Sequence, residues 1–238
     1  MSSSEGFATT HWSLVVAAGQ RESPHSAAAL ESLCRDYWYP LYAYLRRRGL
    51  SSEDAQDVTQ SFFAALLEKD RLKLADQQRG RFRSFLLASL SNFLANYRRD
   101  QNTERRGGAV STLSLDWQSG EQRYHLEPVD SLTPERIFDR RWALTLLERA
   151  IERLRVQYVE SGRETLFQTL RETLGGADPP RPYADLAAEL GISESALRVA
   201  VHRLRKRCGE ILREEIAQTV VDPAEIDEEL SYLFTALA

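Results

Sequence analysis

The sequence predicts an all-α protein with two helical domains joined by a linker. In nearly every periodic segment apolar residues recur at three- and four-residue steps, no segment requires strand-like alternation, and Val and Ile are sparse. The 238 residues are 42% hydrophobic and 28% charged, which is enough for one or two cores. We place a first domain with an N-terminal extension at 1–106, a linker at 107–132, a second domain at 133–216 and an acidic C-terminal extension at 217–238.

Three helices are predicted in the first domain. The first covers about 26–48 and ends at Gly49, which suits the residue after a helix. The second follows the cap-like segment 51–54 and continues to about residue 68. The third follows Gly80 and has an amphipathic stripe. That stripe consists of Phe82, Leu86, Leu90, Phe93, Leu94 and Tyr97.

The linker and the start of the second domain are marked by a change of composition. Residues 107–132 are rich in Gly, Ser, Thr, Gln, Asp and Pro and show no periodicity. Thr133 and Pro134 then form a cap followed by a first-turn proline. The helix that starts there places Leu147, Ile151, Leu154 and Tyr158 on one face. The Gly- and Pro-rich segment 175–180 interrupts the chain before the next motif.

Residues 182–212 have the spacing of a helix-turn-helix. A short amphipathic helix stops at Gly191, Ser193 caps the next helix, and that helix has an apolar stripe of Leu197, Val201, Leu204, Cys208 and Ile211. At 100° per residue its other face is free to enter a major groove. The candidate DNA-binding residues are Ser193, Ser195, Arg198, Val199, His202, Arg203 and Lys206. An ordinary amphipathic hairpin with a solvated basic face is the alternative.

Charge is segregated along the chain although the net charge is only -4. The segment 71–106 has nine basic and three acidic residues, net +6, and 198–213 has six basic residues and one acidic residue, net +5. From residue 214 onward there are seven acidic residues and no Lys or Arg, net -7. Two basic segments predict contact with a polyanion at two places.

The second helix carries a further polar pattern made of Asp54, Asp57, Gln60 and Phe63. No histidine, glycine loop or third acid accompanies the two aspartates, so helix capping or partner contact is favoured over catalysis. Phe63 extends the apolar stripe beyond the needs of one core. Two cysteines and four histidines show no ligand spacing, so we expect no metal, cofactor or catalytic residue.

The sequence shows no signal for membrane insertion or secretion. No apolar run approaches the roughly 18 residues of a membrane-spanning helix. The N-terminal residues lack a basic segment followed by an apolar one. We therefore expect a cytoplasmic protein without membrane insertion.

Taken together, these segments resemble bacterial RNA polymerase sigma factors of the extracytoplasmic-function (ECF) type, which keep sigma regions 2 and 4. Residues 33–42 resemble the start of region 2, and 54–63 resemble its polymerase-binding helix. Residues 79–99 resemble the part that opens and reads the minus-ten element, and 182–212 resemble region 4, which reads the minus-thirty-five element. The resemblance implies a region 2 helical bundle and a region 4 helix-turn-helix.

The resemblance implies a sigma factor that binds core RNA polymerase and directs promoter recognition and transcription initiation, without enzymatic activity. Its polymerase-binding candidates are Asp54, Asp57, Gln60 and Phe63. Its minus-ten candidates are Arg79, Arg81, Phe82, Phe85, Asn92, Arg98 and Arg99. Its partners are core RNA polymerase and promoter DNA, with room for an anti-sigma factor or another regulatory protein. Aromatic rings among arginines suit unstacked bases. A core position is the alternative for both rings; it is favoured for Phe82 and balanced with base contact for Phe85.

Two alternatives remain beside the sigma factor: a helix-turn-helix transcriptional regulator that binds duplex DNA without polymerase, and an enzyme acting on nucleic acid. For the second, no metal or nucleophile constellation is present in the sequence. The C-terminal segment predicts an acidic amphipathic helix with Ile226, Leu230, Leu233 and Phe234 at helical spacing. It either masks the basic helix of the second domain or covers that domain's core while its acids aid solubility.

Overall fold

The computed structural model describes residues 24–66, 81–101, 116–127, 132–175, 181–220 and 222–237, without the side chains of 24–33 and 98–101. Every regular element in these ranges is helical. The predicted all-α class is therefore confirmed. In chain order the helices are α1 (Pro24–Arg47), α2 (Ser52–Leu66), α3 (Phe82–Gln101), α4 (Trp117–His125), α5 (Pro134–Glu160), α6 (Glu164–Leu170), α7 (Tyr183–Leu190), α8 (Glu194–Ala217) and α9 (Ile226–Leu237). Short 3-10 turns lie at Arg171–Gly175 and Pro223–Glu225.

Local signals explain where several helices begin. At the start of α2 the Asp54 N–H donates to Ser51 Oγ at 3.0 Å, and Ser51 Oγ donates to Asp54 Oδ2 at 2.8 Å. At the start of α5 the Arg136 N–H donates to Thr133 Oγ1 at 3.3 Å. These bonds satisfy amide groups that have no partner inside the first helical turn. Ser51 and Thr133 are therefore the caps that the sequence predicted.

The predicted linker contains a helix, α4, that the sequence interpretation did not include. Asp116 caps α4 by accepting the Ser119 N–H at 3.0 Å. The indole of Trp117 packs edge-on against Trp38 of α1 at 5.3 Å between ring centroids. A side chain at Gly120 would bring its Cβ within 2.8 Å of the Trp38 ring. Close packing against α1 holds α4 in place, and the segment is too short for its period to stand out in the sequence.

The chain divides into two compact units. Unit 1 comprises residues 1–144 and 217–238, and unit 2 comprises residues 145–216. The division falls inside α5, and the C-terminal segment with α9 belongs to unit 1. The domain limits inferred from sequence follow the linker instead, and they stay a prediction.

Each unit has an apolar interior drawn from several helices. In unit 1 fully buried side chains come from α1, α2, α3, the first part of α5 and α9, among them Leu41, Phe63, Leu90, Trp142 and Leu233. In unit 2 they come from α5 to α8, among them Leu154, Phe167, Leu197 and Ile211. Burial of such side chains contributes about 1.5–3 kcal/mol each.

Candidate functional site

The helix-turn-helix of unit 2 is built by two local devices. Gly191 ends α7 with φ +64°, and the Ile192 N–H donates to Ala187 O at 3.0 Å. A left-handed backbone at this position suits glycine, which has no Cβ. Ser193 then starts α8 by accepting the Ala196 N–H on its Oγ at 3.2 Å. The turn is therefore fixed by the residues that the sequence predicted to stop and cap the two helices.

The two faces of α8 separate as predicted from the helical period. Leu197, Val201, Leu204 and Ile211 are buried, and Cys208 is half-buried. All seven residues of the predicted DNA-binding surface are exposed, and Val199 exposes 49% of its area. Those seven are Ser193, Ser195, Arg198, Val199, His202, Arg203 and Lys206. We call this set the recognition surface.

The recognition surface is basic, with two acids at its margin. Arg198 donates to Glu194 Oε1 at 2.6 Å, and its guanidinium lies 4.7 Å from the centre of the Tyr183 ring. Lys206 Nζ lies 4.0 Å from Glu210 Oε1. Exposed pairs of this kind contribute about 0–1 kcal/mol, so a phosphate can replace the carboxylates. In the described part of unit 2 no ion pair involves His202 or Arg203.

Two arginines of the basic segment 198–213 have structural contacts instead. Arg205 donates to the carbonyl oxygen of Thr173 at 2.8 Å. Arg207 donates to Gln157 Oε1 and Glu210 Oε2, both at 3.0 Å. The net charge of +5 counted along the sequence therefore overstates the charge on the recognition surface.

The second candidate surface lies on α2. Asp54 and Asp57 are exposed and Gln60 is half-buried. Asp54 and Ser51 together cap α2. This local role accounts for the aspartate at position 54, so no contact with a partner protein is needed to explain it. The remaining polar pair, Asp57 and Gln60, forms what we call the α2 surface.

Phe63 and Phe82 do not face solvent, which corrects their assignment as contact residues. Both side chains are 0% exposed. Phe63 packs against Phe62, with 5.9 Å between ring centroids, and Phe82 packs edge-on against Tyr37 at 5.3 Å. Their helical stripes continue into the core of unit 1, so neither ring is available to polymerase or to an unstacked base.

The other minus-ten candidates differ in what the structure describes. Asn92 is exposed and Phe85 is half-buried with its ring 6.1 Å from that of Phe82. Arg79 lies outside the described residues, as do the side chains of Arg98 and Arg99. Arg81 lies at the start of α3 with 21% of its side chain exposed.

Acidic residues of α9 bind the basic start of α3 within unit 1. Arg81 Nη2 lies 2.9 Å from Glu228 Oε1, and Arg81 Nε lies 2.9 Å from Glu229 Oε2. Arg83 Nε donates to Glu229 Oε1 at 2.6 Å. In addition, the Phe82 N–H donates to the Thr219 carbonyl oxygen at 3.1 Å. From the sequence we expected the acidic C-terminal segment to lie on the second domain, either as a mask or as a cover for its core. In the structure Glu228 and Glu229 instead contact Arg81 and Arg83 at the start of α3, in the first domain.

Arg83 is the centre of a buried polar network in unit 1. It donates to Asp139 Oδ1 at 3.0 Å, and its guanidinium lies 3.9 Å from the centre of the Tyr232 ring. The Tyr232 hydroxyl donates to Asp139 Oδ2. Burial opposes the charged form of Arg83, but the hydrogen bond and charge of Glu229 and the charge of Asp139 outweigh it and raise its pKa. Arg83 therefore stays charged and fixes α9 against α3 and α5.

Burial raises the pKa of Asp139, although the hydrogen bonds from Tyr232 and Arg83 oppose this shift. No sequence signal could have found this network, because Arg83 and Glu229 lie 146 positions apart.

The described residues hold neither a metal site nor a membrane span. No group of three or more His, Cys, Asp or Glu is placed to hold a metal ion in the part of the chain that the structure describes. Within the same ranges, no helix has the length and apolar character needed to cross a membrane.

Comparison with known proteins gave no relative: no family model, no curated protein and no solved structure matches the chain.

Proposed function

We propose that this protein is a sigma factor that binds core RNA polymerase and directs it to promoters. The observation that carries the proposal is the recognition surface, where seven side chains chosen from the sequence are all exposed, six on the second helix of a helix-turn-helix and Ser193 at its N-terminal cap. Helices of this kind place side chains against base edges in the major groove. Arg198, Arg203 and Lys206 supply charge for phosphates or guanine, and Ser195 and His202 supply hydrogen-bonding groups.

The α2 surface supports the polymerase-binding part of the proposal. The carboxylate of Asp57 is exposed. The opposite face of the same helix carries the buried residues Ala55, Val58 and Phe62. The core therefore explains the apolar side chains but not the polar pair of Asp57 and Gln60. In the resemblance to ECF sigma factors this pair belongs to the helix that binds the polymerase.

Transcription with purified core RNA polymerase tests the proposal directly. A library of promoter-sized genomic fragments is transcribed with and without the protein, and the 5′ ends of the transcripts are sequenced. We expect start sites that depend on the protein and share two upstream elements. If the protein binds duplex DNA specifically but yields no such start sites, it is a helix-turn-helix regulator that acts without polymerase.

A double substitution to arginine tests the α2 surface separately. Asp57→Arg combined with Gln60→Arg should weaken binding to core RNA polymerase at least tenfold, because both positions change from polar or acidic to basic and neither residue is among the buried ones of unit 1. Glu160→Arg, at an exposed position at the end of α5, is the control for added positive charge. Equal affinities of wild type, control and double variant, all folded by circular dichroism, would remove the α2 surface from the proposal.

A further inference from the structure

We propose that α9 is an intramolecular acidic lid that occupies the DNA-binding end of α3 in the free protein and is displaced when that end binds nucleic acid. This inference rests on the proposed function, because it concerns regulation of the predicted minus-ten surface. It starts from the contacts of α9 with Arg81 and Arg83.

Carboxylates of α9 hold the same donor atoms that a phosphate would use. A guanidinium binds carboxylates and phosphates alike through its forked N–H groups. In Arg81 one nitrogen faces Glu228 and another faces Glu229, both at 2.9 Å. Arg81 cannot keep both carboxylates and donate through the same nitrogens to a DNA backbone. Binding of α9 and binding of a phosphate through the Nε and Nη2 edge of Arg81 therefore exclude each other.

The contact has a weak outer part and a strong inner part. Glu228 exposes 72% of its side chain, so its pair with Arg81 is screened by solvent and easily exchanged. Glu229 is fully buried between Arg81 and Arg83, and Leu233 one turn further along α9 is fully buried as well. The inner contacts hold the lid in the free protein. Exchange of the outer pair gives a polyanion its point of entry.

Opposite charges, and not only apolar packing, attract α9 to the start of α3. The first turn of α9 contains Asp227, Glu228 and Glu229, and the acids lie in a segment without any Lys or Arg. The start of α3 contributes Arg81 and Arg83 to the basic segment 71–106. An attached acidic segment acts at high effective concentration, so it competes with DNA without needing a high intrinsic affinity.

The test compares Glu228→Lys with Glu225→Lys in the full-length protein. Both substitutions change the net charge of the C-terminal segment by the same amount, but within the described residues no ion pair involves Glu225. The probe is a fluorescein-labelled single-stranded DNA 20-mer of mixed sequence, which a duplex-reading helix-turn-helix binds weakly. Anisotropy at low and high salt gives the dissociation constants.

If α9 is a lid, Glu228→Lys should bind the 20-mer about fivefold more tightly than Glu225→Lys at low salt. In the wild type, addition of the 20-mer should accelerate hydrogen exchange in residues 222–237, because α9 leaves its site. Equal affinities of the two variants, or unchanged exchange in α9 with the 20-mer bound, would overturn the proposal. Failure of every variant to bind the 20-mer would overturn it too, since the lid would then cover no binding surface.

Core-dependent transcription separates this proposal from the function on which it rests. If the lid results hold but no variant supports transcription, the sigma-factor assignment fails and the lid remains. If the protein supports transcription but the 20-mer does not change hydrogen exchange in α9, the lid proposal is wrong and the proposed function stands.

Discussion

Glu121 shows how one carboxylate ties α4 to α1 in unit 1. It accepts hydrogen bonds from Arg46 Nη2 at 2.8 Å and Arg46 Nε at 3.1 Å, and from the Tyr42 hydroxyl. Partial burial alone would raise its pKa, but the hydrogen bonds from Arg46 and Tyr42 and the charge of Arg46 outweigh this and lower it below 4.5. The ionised carboxylate is thus favoured by folding.

The lowered pKa predicts an acid-dependent loss of stability. The contribution of Glu121 is fully present above about pH 4.5 and is lost as the pH falls through its lower folded-state pKa. Thermal unfolding of wild type and Glu121→Gln should therefore differ at pH 7 and converge toward pH 3. In an Arg46→Met background the difference at pH 7 should be smaller, because the hydrogen bond from Tyr42 to Glu121 remains while those from Arg46 are lost. A constant difference between pH 7 and pH 3 would contradict the assignment.

Gly120 makes a second prediction for the same helix. A Cβ at this position would meet the Trp38 ring at 2.8 Å, and that ring is held by Trp117 and Tyr39. Overpacking costs about 1–3 kcal/mol, which exceeds the gain of up to about 1 kcal/mol from replacing a helical glycine. Gly120→Ala should lower the free energy of unfolding, whereas Gln118→Ala, at an exposed position in the same helix, should leave it nearly unchanged.

Among individual residues, the sequence predicted the exposed side chains of α8 better than the aromatic ones of α2 and α3. A single apolar stripe defines the inner face of α8, so its outer face follows from the helical period. In α2 and α3 the apolar arc is wider, and Phe63 and Phe82 lie within it. Whether a ring at such a position is core or contact depends on packing partners from other helices, such as Tyr37.

At the level of elements, the helix-turn-helix depends on the backbone at Gly191. Alanine there would have to adopt φ near +64°, which costs about 1–2 kcal/mol for a residue with a Cβ. Gly209 lies inside α8, and a Cβ added there would meet no atom within 4 Å, so Gly209→Ala should instead stabilise unit 2 by up to about 1 kcal/mol. Denaturant unfolding of the two variants should show shifts of opposite sign. Shifts of the same sign would contradict this account of the turn.

Helices α7 and α8 were predictable because their stop and cap residues are local in sequence. Helix α9 was predictable as an amphipathic helix from the helical spacing of its apolar residues, but its location was not. Its position depends on Glu229 meeting Arg83 and on Tyr232 meeting Asp139, and neither pairing leaves a trace in the spacing of residues. The location of α4 was not predictable either, because it depends on contacts with Trp38 and Arg46 of α1, a helix far away in the sequence.

For the molecule as a whole, unit 1 is assembled from two separated parts of the chain. Ending the chain after Thr219 removes the buried residues Val220, Glu229 and Leu233 from unit 1 and none from unit 2. Loss of Leu233 alone removes about 1.5–3 kcal/mol of apolar burial. Hydrogen exchange should therefore accelerate in α3 and in the first turns of α5, and remain slow in α8. Equal acceleration in both units would contradict the assignment of α9 to unit 1.

The split of unit 1 also sets an order of events during biosynthesis. A ribosome makes α3 first, then all of unit 2, and only afterwards α9. At roughly 5–20 residues per second, α9 follows α3 after on the order of ten seconds. During that interval Arg81 and Arg83 of the nascent chain have neither Glu228 nor Glu229 beside them. Every new molecule thus passes through a stage with this basic end uncovered, and translation speed sets how long that stage lasts.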